Sequence, residues 1–238
     1  MCLKTNRKQN DKKYNKQNRK DKRKTIIISV MSFILLVAVA FTVYKMTPLG
    51  NNKASDDESY KDKLQDYIKD NDDYLTQGNK DSKVQVVSFV DFRCSHCSDY
   101  NREIKQSKIQ PKIDSGEIGY TQIALPVVDS ISDDYADMYK IFNRQGDINL
   151  SEQFSKQAFE TSTIDNDPVK TVEKMKLPKD KEKHIIKSYE NTTIKGDKDK
   201  IKSKLKVVST PTIFVNSHHV RDAKNLKDIV EEKLEGKD

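Results

Sequence analysis

The stretch Val84-Gln85-Val86-Val87-Ser88-Phe89-Val90-Asp91-Phe92-Arg93-Cys94-Ser95-His96-Cys97 decides how this chain is read. Val84 to Val90 is a valine-rich apolar run of strand length, suited to a buried central strand. Two cysteines three positions apart follow it directly. Such a pair fits the point where a strand turns into a helix, where the unpaired N–H groups of the first turn favour negative charge on sulfur. The segment reads as a redox site.

Beyond it the pattern is α/β. Cys97, Tyr100 and Ile104 share one helical face, with Arg102, Glu103 and Lys105 off it. Gly116 to Pro126 alternates apolar and polar residues before a proline stop, which predicts a second strand. From about residue 127 to 206 the period becomes helical. Ile131, Tyr135, Met138 and Phe142 step by four, three and four, followed by Phe154 and Ala158, then Val169, Val172 and Met175, Ile185, Ile186 and Tyr189, and Ile201 and Leu205. Gly146, Pro168, Pro178 and Gly196 punctuate this all-helical insertion, and its apolar stripes are read as packing. The strand signal returns at Thr212-Ile213-Phe214-Val215, and Asn216-Ser217 turns it into His218-His219-Val220, a tight hairpin. A last helix carries the stripe Leu226, Ile229, Val230 and Leu234.

Upstream, residues 1–24 hold eleven Lys and Arg against Asp11 and Asp21, a charge of +9. The whole chain of 238 residues is +7, so the remainder is −2 and the basic character belongs to the tail. That removes most support for nucleic-acid binding, since the tail abuts Thr25 to Tyr44, an uncharged apolar stretch of the length that crosses a bilayer as a helix. The cation excess before it and the lone Lys45 after it predict a cytoplasmic N-terminus and an extracytoplasmic remainder. Ala38-Val39-Ala40 resembles a cleavage site, but the apolar run continues to Tyr44 and the basic region is long for a signal peptide, so an uncleaved anchor is expected. Cys2 follows Met1 with no apolar segment before it and is no lipoprotein acceptor. Residues 45–78 read as a polar linker, with Tyr60, Leu64 and Tyr67 at helical spacing. The folded domain is expected over 79–238.

A strand, a Cys-x-x-Cys helix start, an interrupting helical block and Thr210-Pro211-Thr212 entering a hairpin together resemble the thioredoxin fold. The segments Phe89 to Cys97 and Ser209 to Asn216 resemble the two signatures of membrane-anchored DsbA-like thiol-disulfide oxidoreductases of Gram-positive bacteria, over roughly Gly78 to Leu234. The resemblance implies an α/β thioredoxin fold with an all-helical insertion, preceded by one transmembrane helix. It implies a redox-active Cys94-Cys97 disulfide with no bound cofactor or metal, Pro211 as a cis-proline, and a Thr210 backbone facing the cysteines and able to pair with an extended substrate. The implied partners are exported proteins with free thiols and a membrane protein that reoxidises the pair.

Reaction requirements give the roles. Cys94, at the helix start, is the expected nucleophile, and the more buried Cys97 resolves the mixed disulfide. His96 places a cation beside the Cys94 thiolate and favours the reduced form, which makes the disulfide a stronger oxidant. Two departures from the family pattern stand out. Ser95 takes the place of a frequent proline, and Ser88 stands six residues before Cys94, where some relatives have a buried acid. Asp91, the nearest carboxylate, reads either as an aid to proton transfer or as a structural cap. Beyond Met1 to Tyr44 the only cysteines are Cys94 and Cys97, so no structural pair competes with them. Three alternatives remain: a reductase or isomerase of the same fold, a redox-inactive peptide-binding or chaperone module, and a zinc site of Cys94, Cys97 and His218 or His219.

Overall fold

The computed structural model describes residues 58–71, 73–191 and 197–236. The expected tail and the membrane span at 25–44 lie outside them, and among the described residues no helix is long and apolar enough to cross a membrane.

Helix α1 (Glu58–Lys69) leads to strand β1 (Thr76–Gly78) and then β2 (Gln85–Val90). The active-site helix follows in three joined pieces: α2 (Ser95–Asp99), a π-helical segment (Tyr100–Ile109) and α3 (Gln110–Asp114). After β3 (Gly119–Ala124) come α4 (Ser130–Arg144), α5 (Ile148–Thr161), α6 (Pro168–Lys174), α7 (Lys179–Asn191) and α8 (Lys198–Lys200), which runs into a second π-helical segment, Ile201–Leu205. Strands β4 (Thr212–Val215) and β5 (His218–Val220), a 3-10 turn (Ala223–Asn225) and α9 (Leu226–Leu234) complete the chain.

The five strands form one sheet in the order β1-β3-β2-β4-β5. Central β2 runs parallel to β3, with Ser88 opposite Gln122, and antiparallel to β4, with Ser88 opposite Ile213. Both faces are covered, which is why a valine run and not an alternating pattern sits in the middle. Val86 and Val90 face a core shared with Tyr120, Ala124, Tyr135, Phe142 and Phe154. Val87 and Phe89 face the other way, toward Ile123, Phe214 and the docked residues Leu64 and Tyr67 of α1. Tyr60 fixes the same helix by donating its hydroxyl to the Leu205 carbonyl at 2.9 Å.

Two features depart from the sequence reading. The stretch read as a polar spacer carries α1 on the helical spacing of Tyr60, Leu64 and Tyr67, and beyond that reading it supplies the edge strand β1, whose Gly78 turns at φ 72° where an added Cβ would lie 2.4 Å from the Ile118 carbonyl oxygen. The expected strand Gly116 to Pro126 is β3, shorter and buried at every position. Its polar members stay inside because they are bonded there, Gln122 Nε2 to Ser155 Oγ at 2.8 Å and Thr121 Oγ1 to Thr76 Oγ1 at 2.8 Å.

Between β3 and β4 the described chain is helical. Asp129, Asp147 and Asp167 each cap a helix start by accepting N–H groups of the first turn, and Asp129 pairs with Ser132 in a capping box. Tyr135, Met138 and Phe142 of α4 are fully buried, as their spacing predicts.

Candidate active site

Strand β2 delivers the chain at Val90, and Asp91-Phe92-Arg93 makes the turn into α2. Cys94 is the N-cap of that helix, in extended conformation at φ −83°, and its carbonyl accepts the N–H groups of Cys97 and Ser98 at 3.0 and 3.1 Å. No side chain caps this helix, so the position that Asp holds in α4 to α6 is given to a thiol. Cys94 is partly exposed and Cys97 is fully buried.

That geometry drives the two acidities apart. The hydrogen bond from the Cys97 thiol, opposed by desolvation and helped by the Cys97 and His96 backbone N–H groups, lowers Cys94 from 9.0 to about 5. Burial pushes the Cys97 thiol well above the usual range, and its bond to Cys94 pushes it further. The arrangement holds a thiolate at the surface and a protonated thiol beneath it.

The Thr210-Pro211 peptide bond is cis, and the Thr210 carbonyl oxygen lies 3.7 Å from Cys94 Sγ. Thr212 Oγ1 closes this loop on the Ser209 carbonyl at 2.7 Å. Cys94, Cys97, Thr210 and Pro211 are thus brought together from two distant parts of the chain. His96 lies on the same turn with an exposed side chain, and what joins it to Cys94 is its backbone amide.

Asp91 is buried at 2 % exposure, and both carboxylate oxygens are used. Oδ1 accepts the Arg93 N–H at 2.8 Å and the Ser132 hydroxyl at 2.9 Å, while Oδ2 accepts the N–H groups of Val127 and Val128 at 2.7 and 2.9 Å. Four donors fill a carboxylate's capacity, so of the two readings of Asp91 the geometry supports the structural one. Arg93 was not anticipated. Its guanidinium bonds Asp129 at 2.8 Å, the Ser162 carbonyl, and Asn166 at 3.1 Å, joining the residue before Cys94 to the insertion. A basic residue directly before the cysteine was the available signal, but its partners lie 36 to 73 positions away.

At the position six before Cys94, Ser88 Oγ meets the Tyr120 hydroxyl at 2.6 Å, and Tyr100 donates to the same hydroxyl at 3.4 Å. A buried hydroxyl cluster occupies this position. Nearby, Lys105 corrects the sequence reading: it is 2 % exposed, not turned outward. The helix winds with i to i+5 bonding here, Gln110 N–H to Lys105 carbonyl, and that wider turn swings Lys105 onto the face of Tyr100 and Ile109. Its ammonium bonds Glu152 at 2.6 Å and sits 5.0 Å from the Tyr120 ring centre.

The zinc set is not gathered. His218 pairs with Val215 and His219 with Phe214, toward the end of β4 away from Pro211, and His219 packs on the Phe214 ring at 5.3 Å. Among the described residues no three His, Cys, Asp or Glu side chains cluster as a metal site.

Comparison with known proteins agrees with this geometry. Residues 70–232 match the thioredoxin family profile. The chain is 25% identical over 179 residues to disulfide bond formation protein D of Bacillus subtilis, covering 67% of this chain and 77% of the relative. It is 26% identical over 214 residues to the probable disulfide bond formation protein D of Bacillus cereus, covering 84% and 97%. Among solved structures, oxidised BdbD from Bacillus subtilis superposes with a TM-score of 0.57 at 20% identity, over 69% of this chain and 94% of that one. MdbA, a thiol-disulfide oxidoreductase from Actinomyces oris, superposes with a TM-score of 0.53 at 18% identity, over 69% and 86%. The chain belongs to the thioredoxin family, as a DsbA-like thiol-disulfide oxidoreductase.

Proposed function

We propose that the chain is an extracytoplasmic oxidase that introduces disulfides into exported proteins through Cys94 and Cys97. The observation that carries this is the opposed acidity of the pair, with Cys94 lowered to about 5 and Cys97 raised by burial. A stabilised Cys94 thiolate favours the reduced enzyme, so the Cys94-Cys97 disulfide is a strong electron acceptor.

In the forward reaction a substrate thiolate attacks Cys94 Sγ, and the Cys94-Cys97 bond breaks with its electron pair on Cys97. A second substrate thiolate then attacks the substrate sulfur of the mixed disulfide and expels Cys94 as the better leaving thiolate. The Thr210 backbone, beside Cys94 Sγ, offers an edge for an extended substrate chain, with Pro211 holding the loop. His96 supports the thiolate from the same turn. The exposed large apolar residues fit a polypeptide substrate: Val128 and Ile164 lie within two residues of the Arg93 partners Asp129, Ser162 and Asn166, and Val208 lies two before Thr210. The basic tail and the apolar stretch 25–44 supply the membrane anchor, and a membrane protein returns the pair to the disulfide.

Equilibration of the purified chain with glutathione buffers tests the direction. A potential well above about −270 mV, the thioredoxin value, is expected, and a potential at or below it would assign a reductase. A membrane-impermeant maleimide on intact cells, applied after an impermeant reductant has opened the disulfide, tests the topology, with labelling of Cys94 and none of Cys2 expected.

A further inference from the structure

We propose that Asp91 is the positioning residue of the resolving thiol: its carboxylate, held by donors from α4, the loop before it and the Cys94 turn, fixes its own backbone N–H on Cys97 Sγ. That N–H lies 3.5 Å from the sulfur. The inference rests on Cys94 and Cys97 being the reactive pair.

When a substrate thiolate attacks Cys94 Sγ, a new S–S bond forms there and the Cys94-Cys97 bond breaks. The electron pair arrives on Cys97 Sγ, in a site with no exposure to water. The substrate thiol has given its proton to solvent, and the Cys97 thiolate takes one up from the side of the partly exposed Cys94, so the proton count closes. At the moment of release the Asp91 N–H is a fixed donor to the buried sulfur, of the kind that stabilises charge without reorganisation. It also donates to one side of Cys97 Sγ, which accepts there and keeps its own S–H free to donate toward Cys94.

A backbone N–H is available from any residue, so the identity of Asp91 must be explained by its side chain. The N–H groups of Arg93, Val127 and Val128 converge on it with the Ser132 hydroxyl. An apolar residue would leave three backbone donors without this partner, and Asn would turn its own N–H groups against one set of them. Ser132 also bonds Asp129, which pairs with Arg93, so the circuit closes around the turn. The charged groups here are Asp91 and Arg93 on the turn and Asp129 at the start of α4, and His96 is exposed.

The test is the pH dependence of iodoacetamide alkylation of the reduced full chain, read on the Cys94 peptide because Cys2 also reacts. In the wild type the midpoint is expected near 5. Asp91→Asn is expected to raise it by about one pH unit or more, with a tenfold slower resolution of a mixed disulfide with glutathione. Ser132→Ala keeps Asp91 and the two N–H groups that Asp129 accepts, losing only the Ser132 half of the capping box, and is expected to raise the midpoint by less; it stands alone if Asp91→Asn does not fold. A merely structural role moves stability but not the midpoint, so variants that titrate with the wild type near 5 overturn the positioning role. A wild-type midpoint near about 8.5 instead removes the reactive thiolate itself.

Discussion

Arg93 Nε lies 2.8 Å from Asp129 Oδ2, and the other oxygen of Asp129 caps the first turn of α4. One carboxylate therefore serves both the start of the insertion and the residue that precedes the reactive cysteine. The insertion is part of the redox site, because its position is set from the turn that carries Cys94.

Arg93→Met should remove bonds to Asp129, the Ser162 carbonyl and Asn166, and lower unfolding free energy by about 2 kcal/mol, the range for bonds to charged groups. Arg93→Lys keeps the charge but not the fork, so it should fall between the two in urea unfolding. Equal midpoints for Arg93→Lys and wild type would show that the fork is not needed.

Phe92 makes the same connection by packing. It is 2 % exposed, and its ring lies 5.3 Å from Tyr139, 5.9 Å from Phe154 and 5.0 Å from Phe159, all on the insertion. Phe92→Ala should cost about 3–5 kcal/mol, and Phe92→Leu less. A loss below about 1 kcal/mol in denaturant unfolding would mean that the insertion collapses into the space.

The Cys94 thiol links stability to pH in the reduced form alone. Its folded-state pKa is depressed from 9.0 to about 5, so the stabilisation is present above the unfolded value and is lost as pH falls toward 5. The disulfide form has no such proton. The stability of the reduced protein relative to the oxidised one should therefore rise steadily from about pH 5 to about pH 9. Urea unfolding of both forms across that window checks it, and parallel pH curves would contradict the depressed acidity.

Where the sequence reading succeeded, one residue type carried a local signal: two cysteines at a strand end, Thr210-Pro211 before β4, the 3.6-residue stripe of Tyr135, Met138 and Phe142. It failed where the deciding partner was distant. Strand β1 is three residues long, and Thr76 and Gln77 show no apolar alternation; pairing with Tyr120 and Thr121 makes it a strand. Gln122 is one of the polar positions of β3, and what keeps it inside is Ser155, brought over it by α5. Arg93 and Asp91 find their partners across the insertion, which no spacing within the motif encodes.

Lys105 is the sharpest such case, because a change in helix winding, not a distant strand, buries it. Its charge is matched by Glu152, 14% exposed, which also accepts from Gln106 at 3.0 Å and lies 3.6 Å from Lys156. Lys105→Met leaves that carboxylate without its main partner and should cost about 3 kcal/mol, the low end for a broken buried pair because Lys156 remains. Lys105→Met with Glu152→Leu removes both charges, and most of the loss should return, as measured by a double-mutant cycle in urea. If the double variant stays as unstable as the single one, the orphaned carboxylate is not the cause. The loss would then lie in the ammonium over the Tyr120 ring, and Tyr120→Leu in the Lys105→Met background should add only the cost of the ring itself.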